Sequence, residues 1–215
     1  MDMLYYTRPF NLRYVVRDRS ERYGSELVRT HRTAKANWSY IHRQHGIDSF
    51  GPMPDWSDRN DLVDHGRCAP SRGSDPALDG VAIWERADGH AAAMRPDEPI
   101  CAHAVGSLPL GHDVAAWRNL IEGFAEDHLT SQGMVVDWAI HHRVESETRP
   151  EVLPHCHLLI TTRVFDRSNS DLGRVRQNWV RSEKARKALA EKWWAHTGLY
   201  PSGYAALPIA RDRGR

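Results

Sequence analysis

Apolar residues recur along this chain at two spacings, and the spacings divide it into strands and helices. Residues 12–17, Leu-Arg-Tyr-Val-Val-Arg, alternate with some β-branched character and read as a short strand. Residues 25–44 place Leu27, Val28, Ala34, Ala36 and Tyr40 at roughly helical spacing with no Pro or Gly between them, which predicts a helix. From 46 to 80 the chain is rich in Gly, Pro, Asp, Ser and Arg; such a stretch buries little and is expected to form a long, partly mobile loop. A short helix over 81–87 and a strand over 100–108 follow. Asp113 is placed to cap a helix reaching about residue 131, with Val114, Trp117, Leu120, Ile121 and Phe124 as its buried stripe. Gly133 ends that helix, and residues 134–141 form a strongly apolar strand. A polar, hairpin-like excursion over 143–152 leads to a second apolar strand over 154–164. An amphipathic helix over 178–197 carries Trp179, Leu189, Trp193 and Trp194. This order predicts an α+β fold, a mainly antiparallel sheet with helices packed on it, whose two best strands are joined by a hairpin.

Composition narrows the class without naming it. Hydrophobic residues make up 40% and charged residues 27% of the 215 positions, as in a soluble globular protein with an ordinary core. No apolar run approaches the roughly 18–20 residues that span a bilayer. Residues 1–17 carry Arg8, Arg13 and Arg17 and no continuous apolar stretch, so a secretory signal is not expected. Cys68, Cys101 and Cys156 are scattered and odd in number, which argues for a reducing cytoplasm. Net charge is +1, yet its distribution is uneven. Arg167, Arg174, Arg176, Arg181, Lys184, Arg186, Lys187 and Lys192 crowd one stretch, Arg29, Arg32, Lys35 and Arg43 another, while acidic residues gather in 55–64 and 122–127. Separated basic regions of this kind suit a phosphate backbone as well as a solvated surface.

The sharpest chemistry lies on the two apolar strands. In His155-Cys156-His157 the histidines stand at i and i+2, so on a strand both imidazoles project from one face and Cys156 from the other, into the core. Folding the 143–152 excursion back brings His141 beside them. Three neutral imidazoles on rigid strands make an open metal site that leaves positions for water or phosphate oxygens, suited to polarising a phosphodiester. His142 competes with His141 for the third place; alternation allows only one of them to face the pair, and spacing does not say which.

The residues Gly133-Met134-Val135-Val136-Asp137-Trp138-Ala139-Ile140-His141, followed by Pro154-His155-Cys156-His157-Leu158-Leu159-Ile160-Thr161-Thr162-Arg163, closely resemble the paired motifs of the MobA/MobL relaxases, plasmid-mobilisation enzymes of the HUH endonuclease superfamily. The likeness extends through the Asp171–Trp179 segment and Ala190–Ala195 and covers roughly residues 25–198, strongly over 133–197 and loosely before it. It implies a relaxase-like palm over 1–200 with a tail at 201–215, and it implies His141, His155 and His157 as ligands of a divalent metal, Mn or Mg foremost, with Zn or Co as alternatives. Family members use a tyrosine on an early helix preceded by small residues. Ala34-Lys35-Ala36-Asn37-Trp38-Ser39-Tyr40 resembles that segment and points to Tyr40, with Tyr23 as runner-up. A phenolate beside a divalent cation is a suitable nucleophile for in-line attack on a phosphodiester.

The resemblance therefore implies a cytoplasmic relaxase that nicks and rejoins one DNA strand at a transfer origin through a 5′-phosphotyrosine. Its implied partners are single-stranded DNA, accessory mobilisation proteins and a type IV secretion coupling protein. Arg163, Arg174 and Arg176 are candidates for phosphate contacts, and Asp137 for orienting a ligand histidine. Trp38 and Trp56 are candidates for stacking on bases, whereas Trp117, Trp179, Trp193 and Trp194 suit helix packing. Three departures stand out. The strand over 101–109, Cys-Ala-His-Ala-Val-Gly-Ser-Leu-Pro, lacks the carboxylates common in the family, so a general base is missing or His103 replaces it; Trp38-Ser39 is an unusual pair; and the tail is atypical. A catalytically degenerate DNA-binding homologue, a rolling-circle replication initiator and a single-strand transposase are the alternative readings.

Overall fold

In the computed structural model, residues 9–17, 32–45, 47–48, 51–52, 55–70, 75–176 and 182–202 are described. Five strands form one antiparallel sheet: β1 (Phe10–Val15), β4 (Leu62–Cys68), β5 (Cys101–Ser107), β6 (Val136–Arg143) and β7 (Val152–Thr161), in the order β1-β5-β7-β6-β4. The short strands β2 (Ile47–Asp48) and β3 (Gly51–Pro52) pair with each other. The strands β8 (Arg163–Asp166) and β9 (Asp171–Val175) form a separate hairpin. This is the expected α+β architecture, a mainly antiparallel sheet with helices packed on it.

Helices cover both faces, which is why the central strands β6 and β7 read as nearly unbroken apolar runs. On one face lie α3 (Val114–His128) and α4 (Glu183–Thr197). The Asp113 side chain caps α3 by accepting from the Ala116 amide at 2.8 Å, and the Ser182 hydroxyl caps α4 from the Ala185 amide at 2.9 Å. Trp117, Ile121, Phe124 and Ala125 recur along one side of α3 and meet Trp138, Ile140, Cys156, Leu158 and Ile160 from the sheet. Trp193 of α4 lies flat on Gly106 of β5; a Cβ there would sit 2.5 Å from the indole, so this crossing needs a glycine. Gly133, at φ 92°, ends the turn that follows α3 and aims the chain into β6.

On the opposite face lie α1 (Ala34–Ile41) and α2 (Ala82–Ala92). The N-terminus of α1 is fixed twice. The Thr33 hydroxyl accepts from the Ala36 amide at 3.0 Å, and the Asp88 carboxylate of α2 accepts from the Ala34 and Lys35 amides at 2.7 and 3.0 Å. An anion at that end also complements the helix dipole. Ile83, Trp84, Ala87 and Ala91 of α2 pack with Ala34 and Ile41 of α1 over Val135, Ala139 and Leu159.

Four expectations change. The loop over 46–80 contains β4, the edge strand beside β6. Its sequence, Leu62-Val63-Asp64-His65-Gly66-Arg67-Cys68, carries charge as sheet edges do, and Gly66 makes room for the Trp138 indole, which a Cβ there would meet at 2.6 Å, so the apolar alternation that marks a strand is lost. The strand expected over 154–164 stops at Thr161, after which the chain bends into β8. The helix expected over 25–44 spans Ala34–Ile41, with residues 18–31 outside the described set; the last helix starts at Glu183, with Trp179 also outside it. No helix among the described residues is long and apolar enough to cross a membrane.

Candidate metal centre

Register decides which histidines meet. In the β6–β7 pairing His141 stands directly opposite His155, and Ala139 opposite His157, so all three imidazoles emerge on the α1 face. Their potential ligand atoms lie within 4.8 Å of one another, with ring centroids 4.6 to 5.4 Å apart. His142 takes the opposite face, 5.6 Å from the Trp117 ring and bonded through Nδ1 to the Val152 carbonyl. Cys156 is buried on that face too, in the apolar core.

Burial keeps these imidazoles neutral. It is the main cause lowering all three pKa values, to about 3 at His141, where the Arg43 charge adds, and well below the usual range at His157, where His103 and the neighbouring ligands add. Neutral imidazole is the form that ligates a cation. His155 donates from Nδ1 to the Leu153 carbonyl at 2.8 Å, leaving its Nε2 lone pair free to coordinate. His157 is held from behind through Nδ1, and its Nε2 is buried with no protein partner. A buried, bare imidazole nitrogen between two other imidazoles fits a bound cation. His141 differs: its Nε2 donates to the Ile41 carbonyl at 2.8 Å, and its Nδ1 accepts from Arg43 Nη2 at 2.7 Å. A guanidinium only donates, so this tautomer is fixed.

Arg43 follows α1 in a left-handed conformation (φ 54°) that turns its side chain back under the helix. It forms a buried bidentate pair with Asp61, at 2.6 and 3.0 Å. Burial would raise the Asp61 carboxyl, but the hydrogen bond and charge of Arg43 hold it below its usual value. The guanidinium thus occupies the lone pair that His141 offers, and His141 could hold a cation through Nδ1 only with Arg43 displaced.

Tyr40 lies half-buried over this cluster. Its ring meets His157 edge-on at 5.3 Å, Trp56 at 5.4 Å and His103 at 6.1 Å, with the Arg43 guanidinium 4.8 Å from its centre. Helix α1 makes this possible by ending at the histidines: Ile41 supplies the carbonyl that His141 bonds. Tyr23 lies outside the described residues.

The other sequence candidates fall elsewhere. Asp137 shares the histidine face, but its carboxylate binds Arg67 bidentately and accepts from Trp84 Nε1 at 2.8 Å, tying β6 to β4 and α2 rather than steadying a ligand. Arg163 lies beyond the far end of β7, bonded to the Gly173 carbonyl at 2.7 Å, and Arg174 and Arg176 sit on or just after β9. All three are remote from the histidines because these occupy the start of β7 and Arg163 follows its end. At the histidine end the basic residues are instead Arg59, Arg143 and Arg149. With Asp55, Trp56, Asp58, Asp61 and Val152 they line a cleft of about 660 Å³. Nothing in local spacing marks them, since they come from the 57–59 turn and the β6–β7 excursion. Trp56 is buried beneath Tyr40 and offers no face to a base. Trp38 stacks on His42 at 4.4 Å.

A family model described as the MobA/MobL family matches residues 32–200. A solved structure described as "Molecular Basis of Vancomycin Resistance Transfer in Staphylococcus aureus" shares the fold: TM-score 0.63 at 18% identity, over 92% of this chain and 94% of that one. No curated protein matches the chain.

Proposed function

The chain belongs to the MobA/MobL family, and on that premise we propose that it is a plasmid-mobilisation relaxase whose nucleophile is Tyr40 and whose metal ligands are His141, His155 and His157. The observation that carries this reading is the Tyr40 ring standing edge-on to His157, 5.3 Å away, above a bare buried imidazole nitrogen. Residues 1–200 form the nicking domain and 201–215 a tail, and the enzyme works in the bacterial cytoplasm. It acts on single-stranded DNA at a transfer origin and hands it on with accessory mobilisation proteins and a secretion coupling protein.

A divalent cation, Mn or Mg, would be held by the three imidazoles and would neutralise charge that grows on the phosphate oxygens. The chain's own residues do the rest. Helix α1 holds the Tyr40 ring beside the three histidines. The Tyr40 oxygen attacks phosphorus in line as its proton passes to water; the O–P bond to Tyr40 forms, the P–O3′ bond breaks, and the departing 3′ oxygen takes a proton from solvent. The 5′ end stays bound as a phosphotyrosine ester, and the reverse attack by the 3′ hydroxyl rejoins the strand. Arg43, whose guanidinium stands 4.8 Å from the Tyr40 ring centre, would be free to meet the phosphate once displaced from His141. Arg59, Arg143 and Arg149 supply the phosphate contacts in place of Arg163, Arg174 and Arg176.

The test is a labelled single-stranded oligonucleotide carrying the cognate transfer origin, incubated with Mn or Mg and with chelator. Wild type forms a covalent adduct on a denaturing gel; Tyr40→Phe forms none, a loss on the order of 10⁴-fold or more; His155→Ala loses most of the adduct that Mn or Mg supports in wild type. An adduct that survives Tyr40→Phe moves the nucleophile to another tyrosine, Tyr23 first. Tight binding with no cleavage under any metal leaves a DNA-binding homologue.

A further inference from the structure

Behind His157 a chain of hydrogen bonds crosses four elements. Arg13 of β1 donates from Nη2 to Asn37 Oδ1 of α1 at 3.1 Å. Asn37 Nδ2 donates to the Thr33 carbonyl at 2.7 Å. Asn37 Oδ1 lies 2.8 Å from His103 Nδ1 on β5, and His103 Nε2 lies 2.8 Å from His157 Nδ1 on β7. His103 and Asn37 are both buried.

With both imidazoles neutral, the two ends of this chain fix every hydrogen within it. A guanidinium only donates and a carbonyl only accepts, so the Asn37 amide has one orientation, oxygen toward Arg13 and His103. An amide oxygen only accepts, so His103 carries its hydrogen on Nδ1. Its Nε2 is then an acceptor, and His157 must carry hydrogen on Nδ1. That leaves His157 Nε2 bare, the same atom that is buried without a protein partner. Arg13 Nη2 also lies 3.3 Å from His103 Nδ1; both are donors, and the approach follows from their sharing Asn37 Oδ1. Reversing either ring would set two acceptors or two donors against each other at 2.8 Å in a dry interior.

We propose that His103, backed by Asn37, is a positioning residue that locks His157 in the one tautomer able to bind a cation through Nε2. The relay also ties the centre to the nucleophile's helix, because Asn37 and Tyr40 are three residues apart on α1. The proposal rests on the reading of the triad as a metal centre.

Two measurements on the full chain test it. In the metal-free protein, histidine-ring ¹⁵N spectra show His103 and His157 both as Nδ1–H tautomers; a His157 hydrogen on Nε2 overturns the relay. In calorimetric Mn titrations, His103→Leu, which keeps bulk but offers no acceptor, weakens binding about 10–100-fold. His103→Gln, whose amide both accepts from His157 and donates to Asn37, stays close to wild type and keeps the His157 tautomer. A purely structural role gives the opposite: both variants lower the melting temperature while His103→Leu binds Mn as wild type does, and the relay is overturned. If wild type and His155→Ala take up Mn alike, the metal centre falls and the relay with it. Failure of the relay alone leaves the difference between wild type and His155→Ala intact.

Discussion

The two faces of the central sheet bury about equally well but by different chemistry. Against α3 and α4 the sheet presents Trp138, Ile140, Cys156, Leu158 and Ile160, and the helices answer with Trp117, Ile121, Phe124 and Trp193. Against α1 and α2 it presents His141, His157, His103 and Asp137, and these meet Asn37, Arg43, Asp61 and Arg67. The first face gains from apolar area removed from water; the second adds, to an apolar cluster around Val135, Ala139 and Leu159, polar groups whose desolvation is offset by pairing. On the second face, each of these histidines and carboxylates is hydrogen-bonded, and the bare His157 Nε2 is where the pairing stops. The histidines and their polar partners thus stand on one side of the strands only, and substitutions in the purely apolar face should affect stability without touching the site.

The largest effect on stability is expected from the apolar face. Phe124→Ala opens a cavity among Phe10, Trp193 and Ile121 and should cost about 3–5 kcal/mol in denaturant unfolding. Adduct formation per folded molecule should be unchanged; a parallel loss of both would break the separation of faces. Next comes Asp61→Ala, which leaves the Arg43 guanidinium buried without its carboxylate and should cost about 3 kcal/mol. Unlike Phe124→Ala it should also alter Mn affinity, because Arg43 is then held only by His141 and the Tyr40 carbonyl.

A third expectation is smaller. Mn at about a hundred times its dissociation constant should stabilise the protein by about 2.7 kcal/mol, read as a rise in melting temperature that His155→Ala abolishes. A rise that persists in His155→Ala places the ion elsewhere. The smallest effect is on pH dependence in the metal-free protein. The ligand histidines have lowered pKa values in the fold, so the unfolded chain binds the extra protons once pH drops below its ordinary histidine value near 6.5. Stability is full about one pH unit or more above that value and falls as pH descends through it toward the lowered values. Between pH 7.5 and 6.5 the loss should be on the order of 1 kcal/mol, and flat stability down to pH 5 would show that the three rings do charge within the fold.

Much of this was legible before the fold. Asp113 as a cap, the stripe at Trp117, Ile121 and Phe124, and Gly133 as a stop all depend on neighbours within a few residues, and they stand as expected. The strand β4 was not legible, because its edge charges and Gly66 leave no apolar alternation. The absence of carboxylates from 101–109 was plain; that His103 would meet Asn37 from sixty-six residues away was not. Arg163 directly follows the histidine strand in sequence, but a strand carries its two ends apart, so that adjacency does not bring it to the histidines.

What the sequence determined by itself is what period and propensity encode: two apolar strands joined by an excursion, two histidines on one face at i and i+2, and a tyrosine on an early helix. Spacing left His141 and His142 open and the family resemblance pointed to His141; the register of β6 on β7 puts His141, not His142, on the face of the pair, since a strand's facing is set by its register with a partner. Tertiary structure alone brought Arg43 to His141 and Asn37 to His103, because each contact joins residues whose separation along the chain carries no local energetic signal. Those contacts form only once burial of both sheet faces has fixed α1 above β5, β6 and β7.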